Sequence, residues 1–115
     1  MYKLDFVERI LGVIILAVSF SKIKNRKDKN SMHLFKKLFS LIYSDLYNFI
    51  YSIALNQHLA EDILQETAII GYKNFSKLKD KDKFKSWIFT IAKREAIRKI
   101  RQNSREIMLQ PEQYQ

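Results

Sequence analysis

The chain has 115 residues, which is enough for one compact domain with one hydrophobic core. Its 21 Lys and Arg residues against 12 Asp and Glu residues give a net charge of +9, which favours a polyanionic partner such as nucleic acid or anionic lipid. Cysteine is absent, so disulfide bonds, thiolate metal sites and a cysteine nucleophile are excluded, and a reducing cytoplasm is the expected location.

The scarcity of turn-forming residues predicts an all-α fold. With two Gly and one Pro in the whole chain, many short strands joined by tight turns are disfavoured. The two histidines, His33 and His58, are far apart and lie in no metal-ligand pattern such as H-x-x-x-H. We therefore expect no metal, no cofactor and no enzymatic activity.

Residues 1–31 form a first segment, in which an apolar run at 10–20 is followed by a basic cluster. The run is shorter than the ~20 residues that span a bilayer, and a secretory signal would carry its positive charge before the run. Export is therefore rejected. Three interpretations stay open: an additional N-terminal apolar helix packed on the domain, a dispensable leader before a start at Met32, or a weak membrane anchor.

Residues 34–54 repeat apolar side chains at intervals of three and four, which predicts a long amphipathic helix. The tyrosines Tyr43, Tyr47 and Tyr51, four apart, are expected to line one side of it and shield the core. A break is predicted at residues 56–58. The predicted core stripe consists of Leu38, Leu41, Ile42, Asp45, Leu46, Phe49, Ile50 and Ile53.

A second helix is predicted from about Leu59 to Phe75, with Ile63, Leu64, Thr67, Ala68, Gly71 and Tyr72 on its apolar face. The following residues, 76–85, alternate five lysines with Leu, Asp and Phe, and we call them the basic loop.

A third helix begins at Phe84, with an apolar stripe on one side and a crowd of basic residues on the other. Trp87 belongs to the stripe, so a core position is expected rather than base stacking. Beyond Met108 the apolar repeat ends. The predicted organisation is a leader segment at 1–31, a domain at 32–106 and a tail or linker at 107–115.

Two motifs in this order carry a family resemblance. Residues 60–67 read A-E-D-I-L-Q-E-T, similar to the A-E-D-(L/I)-(V/L)-Q-E-(T/V) signature of region 2 in extracytoplasmic-function (ECF) sigma factors. Residues 84–93 resemble the F-(K/R)-(S/T)-W-(L/I)-x-x-I-A-(R/K) opening of that family's next helix. The likeness covers roughly residues 34–105 and implies a compact helical bundle like sigma region 2.

The chain departs from the family pattern in two places. Where the family usually reads I-A-x-N-x-x-x-D-x-x-R, Arg94 and Arg98 occupy the Asn and Asp positions, and Arg101 is kept. The family normally carries a second helix-turn-helix domain, region 4, for which no sequence remains after Gln115. The expectation is a partial or truncated factor, or one that borrows region 4 from a separate protein.

The resemblance implies a polymerase-binding face on the second helix. Its residues lie three or four apart, opposite the apolar stripe, and the matching face of the family binds the β′ clamp helices of core RNA polymerase. Without the resemblance, the carboxylates here would be explained by the positive end of a helix. The predicted residues are Asp62, Gln65, Glu66 and Ile69.

The resemblance also implies promoter DNA binding by the basic loop and the third helix. Basic side chains neutralise phosphates, and in related factors the loop before the Trp-bearing helix forms a pocket for a flipped base, here at about residues 80–83. An ordinary solvated basic face is the alternative. The predicted DNA-binding residues are Lys79, Asp80, Lys81, Asp82, Lys83, Lys85, Lys93, Arg94, Arg98 and Arg101.

These implications together predict a transcription-initiation factor that binds core RNA polymerase and melts a −10 promoter element, with an anti-sigma factor as a further candidate partner. Two alternatives stay open. One is a polymerase-binding regulator or antagonist that reads no promoter, and the other is a basic membrane-associated helical protein.

Overall fold

The computed structural model describes residues 26–108, and the side chains of residues 30–106. Within that range the chain contains helices and 3-10 turns and no strand, which confirms the predicted all-α bundle. The additional N-terminal apolar helix, and the tail after Met108, lie outside the described residues. The elements are α1 (Arg26–Ala54), α2 (Gln57–Lys73), a 3-10 turn (Phe75–Lys77), a second 3-10 turn (Lys81–Lys83) and α3 (Phe84–Met108).

The first helix is longer than the periodicity predicted. It begins at Arg26 rather than at Leu34 and runs without a break through Met32. The added residues are polar except for Met32, so they show no apolar stripe, but they include neither Gly nor Pro and nothing in them stops a helix.

The junction between α1 and α2 consists of two residues. Leu55 has a φ of +55°, and its N–H donates to the carbonyl oxygen of Tyr51 at 2.8 Å. Asn56 then caps α2, because its Oδ1 accepts from the N–H of Leu59 at 2.9 Å. This side-chain cap lets α2 begin at Gln57, two residues before the predicted start.

The three helices enclose one core, in which the same side of each helix faces inward. An aromatic cluster closes the end of the core nearest the basic loop: the ring of Phe35 makes edge contacts with Phe75 at 5.3 Å and with Phe84 at 5.6 Å between centroids. The fully buried large side chains are Phe35, Phe39, Leu46, Ile50, Ile63, Leu64, Thr67 and Ile88.

The core stripe predicted for α1 was wrong at two positions. Leu41 is 72% exposed and Asp45 is also exposed, whereas Phe35 and Phe39 are buried. Phe35 and Phe39 are four residues apart, and so are Leu41 and Asp45. Periodicity alone therefore does not decide which of the two pairs faces the core. Burial of aromatic rings removes more apolar area from water than burial of leucine does, and it decides the rotation.

The tyrosines of α1 do lie along one side, as predicted. Tyr43 stacks on Tyr47 with centroids 6.4 Å apart, and Tyr47 stacks on Tyr51 at 6.1 Å. Exposure rises along the row from 6% at Tyr43 to 42% at Tyr51, so the row passes from the core to the surface.

Among the described residues, no helix is both long and apolar enough to cross a bilayer. The apolar run at residues 10–20 lies outside that range.

Candidate functional site

The predicted polymerase-binding residues Asp62, Gln65, Glu66 and Ile69 form a strip on α2, which we call the docking strip. Asp62 is exposed, and the other three are half-buried. Ile63, Leu64 and Thr67 face the opposite way into the core, as a turn of 100° per residue requires. Within the described part of the chain, neither Asp62 nor Glu66 forms a salt bridge. The strip therefore presents two carboxylates outside any salt bridge, although the charge of Glu66 still interacts with Arg98 of α3.

The basic loop is more ordered than a solvated stretch. Asp80 caps its second 3-10 turn: Oδ1 accepts from the N–H of Asp82 at 3.0 Å, and the carbonyl oxygen accepts from the N–H of Lys83 at 3.1 Å. Lys79, Asp82 and Lys83 are exposed and carry their charges on the outer side of the loop. Capping bonds between near neighbours require no repeat of apolar residues. The sequence pattern therefore predicted a loop and not these turns.

Lys81 points inward, unlike its neighbours. Its Nζ donates to the carbonyl oxygen of Phe75 at 3.0 Å and to that of Leu78, and it lies 4.2 Å from the centroid of the Phe75 ring. The sequence grouped Lys81 with the DNA-binding lysines, but in the structure its ammonium group is engaged by the protein itself.

Lys85 belongs to the first turn of α3 and forms a salt bridge of 3.0 Å with Asp45 of α1. Both side chains are largely exposed, at 57% and 65%, so this pair stabilises the fold by at most about 1 kcal/mol. The Lys85 ammonium can therefore exchange Asp45 for a phosphate at little cost.

The outer part of α3 carries a groove of about 540 Å³ with four arginines, which we call the arginine groove. The arginines recur at intervals of three and four, so they lie along one side of the helix. Arg105 was not among the predicted DNA-binding residues, although its spacing from Arg101 is the signal that could have found it. Lys93 is exposed but does not line the groove. The lining residues are Arg94, Ile97, Arg98, Arg101, Gln102 and Arg105.

Arg98 is held in place on the groove wall. Its Nη2 and Nε donate to one Oε1 of Glu95 at 2.8 and 3.0 Å. The hydrogen bond that Arg98 donates to Glu95 and then the charge of Glu95 raise the pKa of Arg98, with a smaller contribution from the charge of Glu66 on α2. The guanidinium thus stays charged at every accessible pH.

A comparison with known families identifies this arrangement: residues 38–106 match the family described as Sigma-70 region 2. The match covers more than half of the chain and includes α2, the basic loop and the part of α3 that carries the candidate residues. The chain belongs to the sigma-70 family.

Two curated relatives agree with this assignment. The ECF RNA polymerase sigma factor SigM of Bacillus subtilis (strain 168) is 32% identical over 73 residues, which is 64% of this chain and 44% of that protein. A probable RNA polymerase sigma factor of Haemophilus influenzae is 40% identical over 50 residues, or 44% of this chain and 26% of that protein. The chain thus spans less than half the length of either relative. No solved structure matches it significantly.

The similarity to SigM confirms the ECF type that the two motifs indicated. The sigma-70 family consists of non-catalytic transcription factors, and the described residues of this member contain no cluster of three or more His, Asp or Glu side chains that could hold a metal ion. Trp87, the tryptophan of the second motif, is half-buried against the core, and its ring centroid lies 5.9 Å from that of Phe84.

Proposed function

We propose that this chain acts in transcription initiation as a sigma region 2 module, which binds core RNA polymerase through α2 and promoter DNA through the basic loop and α3. The observation that carries the proposal is the match of residues 38–106 to Sigma-70 region 2. The names of both curated relatives, an ECF sigma factor and a probable sigma factor, support the same role.

The docking strip suits a basic protein partner. In a chain with a net charge of +9, Asp62 and Glu66 place negative charge on one side of α2, and complementary charge orients a protein encounter. Ile69 adds an apolar, half-buried contact at the end of the strip. The clamp helices of the β′ subunit, the partner implied by the resemblance, are the proposed target.

The basic loop and the arginine groove suit DNA in two ways. Exposed cations such as Lys79, Lys83 and Arg101 contact phosphates, and this gives affinity without sequence preference. Reading a melted −10 strand needs polar groups that reach the edges of unstacked bases, and the exposed carboxylate of Asp82 is the group that we propose for that task.

Polymerase binding is tested by reversing the charge of the docking strip. We expect Asp62→Lys/Glu66→Lys to lower the affinity for bacterial core RNA polymerase by at least about tenfold, because the new lysines repel a basic partner. The matched control is Asp28→Lys/Glu106→Lys, which makes the same change in net charge on α1 and α3, away from the strip. Affinity is measured by fluorescence anisotropy of the labelled full chain.

The two variants are compared at equal helical content, measured by circular dichroism. An equal loss of affinity in the control variant would mean that overall charge, rather than the docking strip, governs the binding. Unchanged affinity in both variants would remove the strip from the interface.

Promoter engagement is tested separately by transcription with purified core polymerase and a template library. The proposal predicts transcripts that start at discrete sites and depend on the added chain. Binding to polymerase that inhibits transcription and yields no such transcript would instead favour the antagonist that the sequence left open.

A further inference from the structure

We propose that Lys81 is a positioning residue that holds the basic loop in the shape needed to read a DNA strand, and that it is not itself a phosphate contact. The inference rests on the proposed function and names a separate role within the same site. Five lysines alternate through residues 77–85, and Lys81 is the half-buried member, whereas the other four are exposed.

The ammonium group of Lys81 contacts two backbone carbonyls and one aromatic ring. Its bonds reach back to the carbonyl oxygens of Phe75, six residues earlier, and Leu78, three residues earlier. Phe75 is buried in the aromatic cluster, so the contact attaches the second 3-10 turn to the core. The same ammonium lies over the Phe75 ring, where the negative face of the ring attracts it.

One of these contacts serves a backbone carbonyl that the turns of the loop leave without a backbone partner, that of Leu78. The carbonyl of Phe75 also accepts from the N–H of Leu78 at 3.0 Å, as the last hydrogen bond of the first turn. Leu78 is half-buried against the core, and its own carbonyl receives the Lys81 ammonium. An unsatisfied carbonyl here is costly, so without Lys81 the loop would rearrange toward water.

The consequence for function lies in the residues on either side of Lys81. Asp80 caps the turn that contains Lys81 by accepting from the N–H of Asp82, and the side chains of Asp82 and Lys83 in that turn are exposed. Groups that read bases must be held within a fraction of an ångström, and supporting contacts to the backbone provide that precision. Lys81 therefore acts on DNA through its neighbours.

A positioning role and a direct phosphate contact predict different results. Loss of a phosphate contact weakens binding equally for all sequences and lowers the salt dependence by about one charge. Loss of the loop geometry instead removes discrimination between sequences and leaves the salt dependence unchanged.

The experiment compares Lys81→Met with Lys77→Met, which removes the same charge from an exposed site in the same loop. The full chain, bound to bacterial core RNA polymerase, selects from single-stranded DNA of random sequence, and the affinities for selected and scrambled strands are then measured over a range of salt. We expect Lys81→Met to reduce the ratio of the two affinities by about tenfold or more. Lys77→Met should keep the ratio.

Hydrogen exchange supplies a second measurement on the same variants. The amides of Leu78 and Lys83 are hydrogen-bonded within the loop, and their protection should fall in Lys81→Met and persist in Lys77→Met. If Lys81→Met does not fold, Lys81→Gln takes its place, because its amide keeps donors without the charge. The positioning role predicts that Lys81→Gln has an affinity ratio between those of the unaltered chain and Lys81→Met.

Three outcomes would overturn the inference. A preserved affinity ratio in Lys81→Met means that the loop reads DNA without this residue. A uniform loss of affinity with a smaller salt dependence makes Lys81 a phosphate contact. If the unaltered chain binds polymerase and yet selects no sequence, the proposed promoter reading fails, and the role of Lys81 fails with it.

Discussion

Gly71 shows at the scale of a single residue why α2 and α3 pack as closely as they do. A methyl group at this position would overlap Cδ1 of Ile88, and it would lie 3.4 Å from the ring of Phe35. Gly71 and Ile88 are both buried, so the end of the Ile88 side chain would have to shift within a packed core to admit the methyl group. A glycine that weakens the helix in isolation is therefore used for contact between helices.

The overlap predicts a specific coupling. Gly71→Ala should lower the free energy of unfolding by roughly 1–2 kcal/mol, because overpacking outweighs the gain in helix propensity. Ile88→Val removes the overlapping Cδ1, so the double variant should be more stable than the sum of the two single effects. Urea denaturation of the unaltered chain, the two single variants and the double variant measures the coupling. Strictly additive changes in the free energy of unfolding would contradict the packing argument.

The junction of α1 and α2 belongs to the scale of elements. Leu55 ends α1 in the left-handed region, a position that usually holds glycine, and its side chain is 74% exposed. The backbone of Leu55 is therefore strained, and burial of its side chain contributes little stability in return.

Replacing Leu55 with glycine should stabilise the fold by about 1 kcal/mol, because the strain disappears and little buried area is lost. Leu55→Ala is the control, since it also shortens the side chain but keeps the strained backbone, and it should bring no gain. Thermal unfolding measures both. A Leu55→Gly variant that melts at the unaltered temperature would show that this residue carries no strain.

The order and approximate length of the helices followed from the sequence because each helix buries one side. Periodicity found the start of α3 at Phe84 for this reason. It could not find the start of α1, whose first residues are polar, or the rotation of α1, where Phe35 and Leu41 compete for the core. The turns of the basic loop depend on hydrogen bonds of single side chains, such as the cap at Asp80, which leave no repeating pattern.

The distribution of charge is a property of the whole molecule. Carboxylates of α2 and cations of the loop and α3 occupy different parts of one bundle, as the proposed binding of both a basic protein and DNA requires. The family resemblance implied both the carboxylates of α2 and the cations of the loop and α3, because it assigned a face to each set. It could not reveal which cations are already engaged, because the partners of Lys81 and Arg98 depend on folded geometry.

Because Arg98 already pairs with Glu95, substitutions of Arg98 and Arg101 should change the salt dependence of DNA binding by different amounts. Arg101 has no ion pair among the described residues, so Arg101→Gln should lower the slope of log affinity against log salt by about 0.9 for duplex DNA. Arg98→Gln should lower it less, because Glu95 already neutralises part of that charge. Filter binding at several salt concentrations measures both slopes. Equal changes would mean that the Glu95 pair opens completely on DNA.

The aromatic cluster beside the basic loop gives the protein an internal optical probe. Trp87 is the single tryptophan of the chain, and its ring centroid lies 6.5 Å from that of Phe75, whose other contacts include the Lys81 ammonium. A loop that shifts when a strand is captured would change the polarity around the indole. Its emission wavelength would then follow strand capture in real time, without any attached dye.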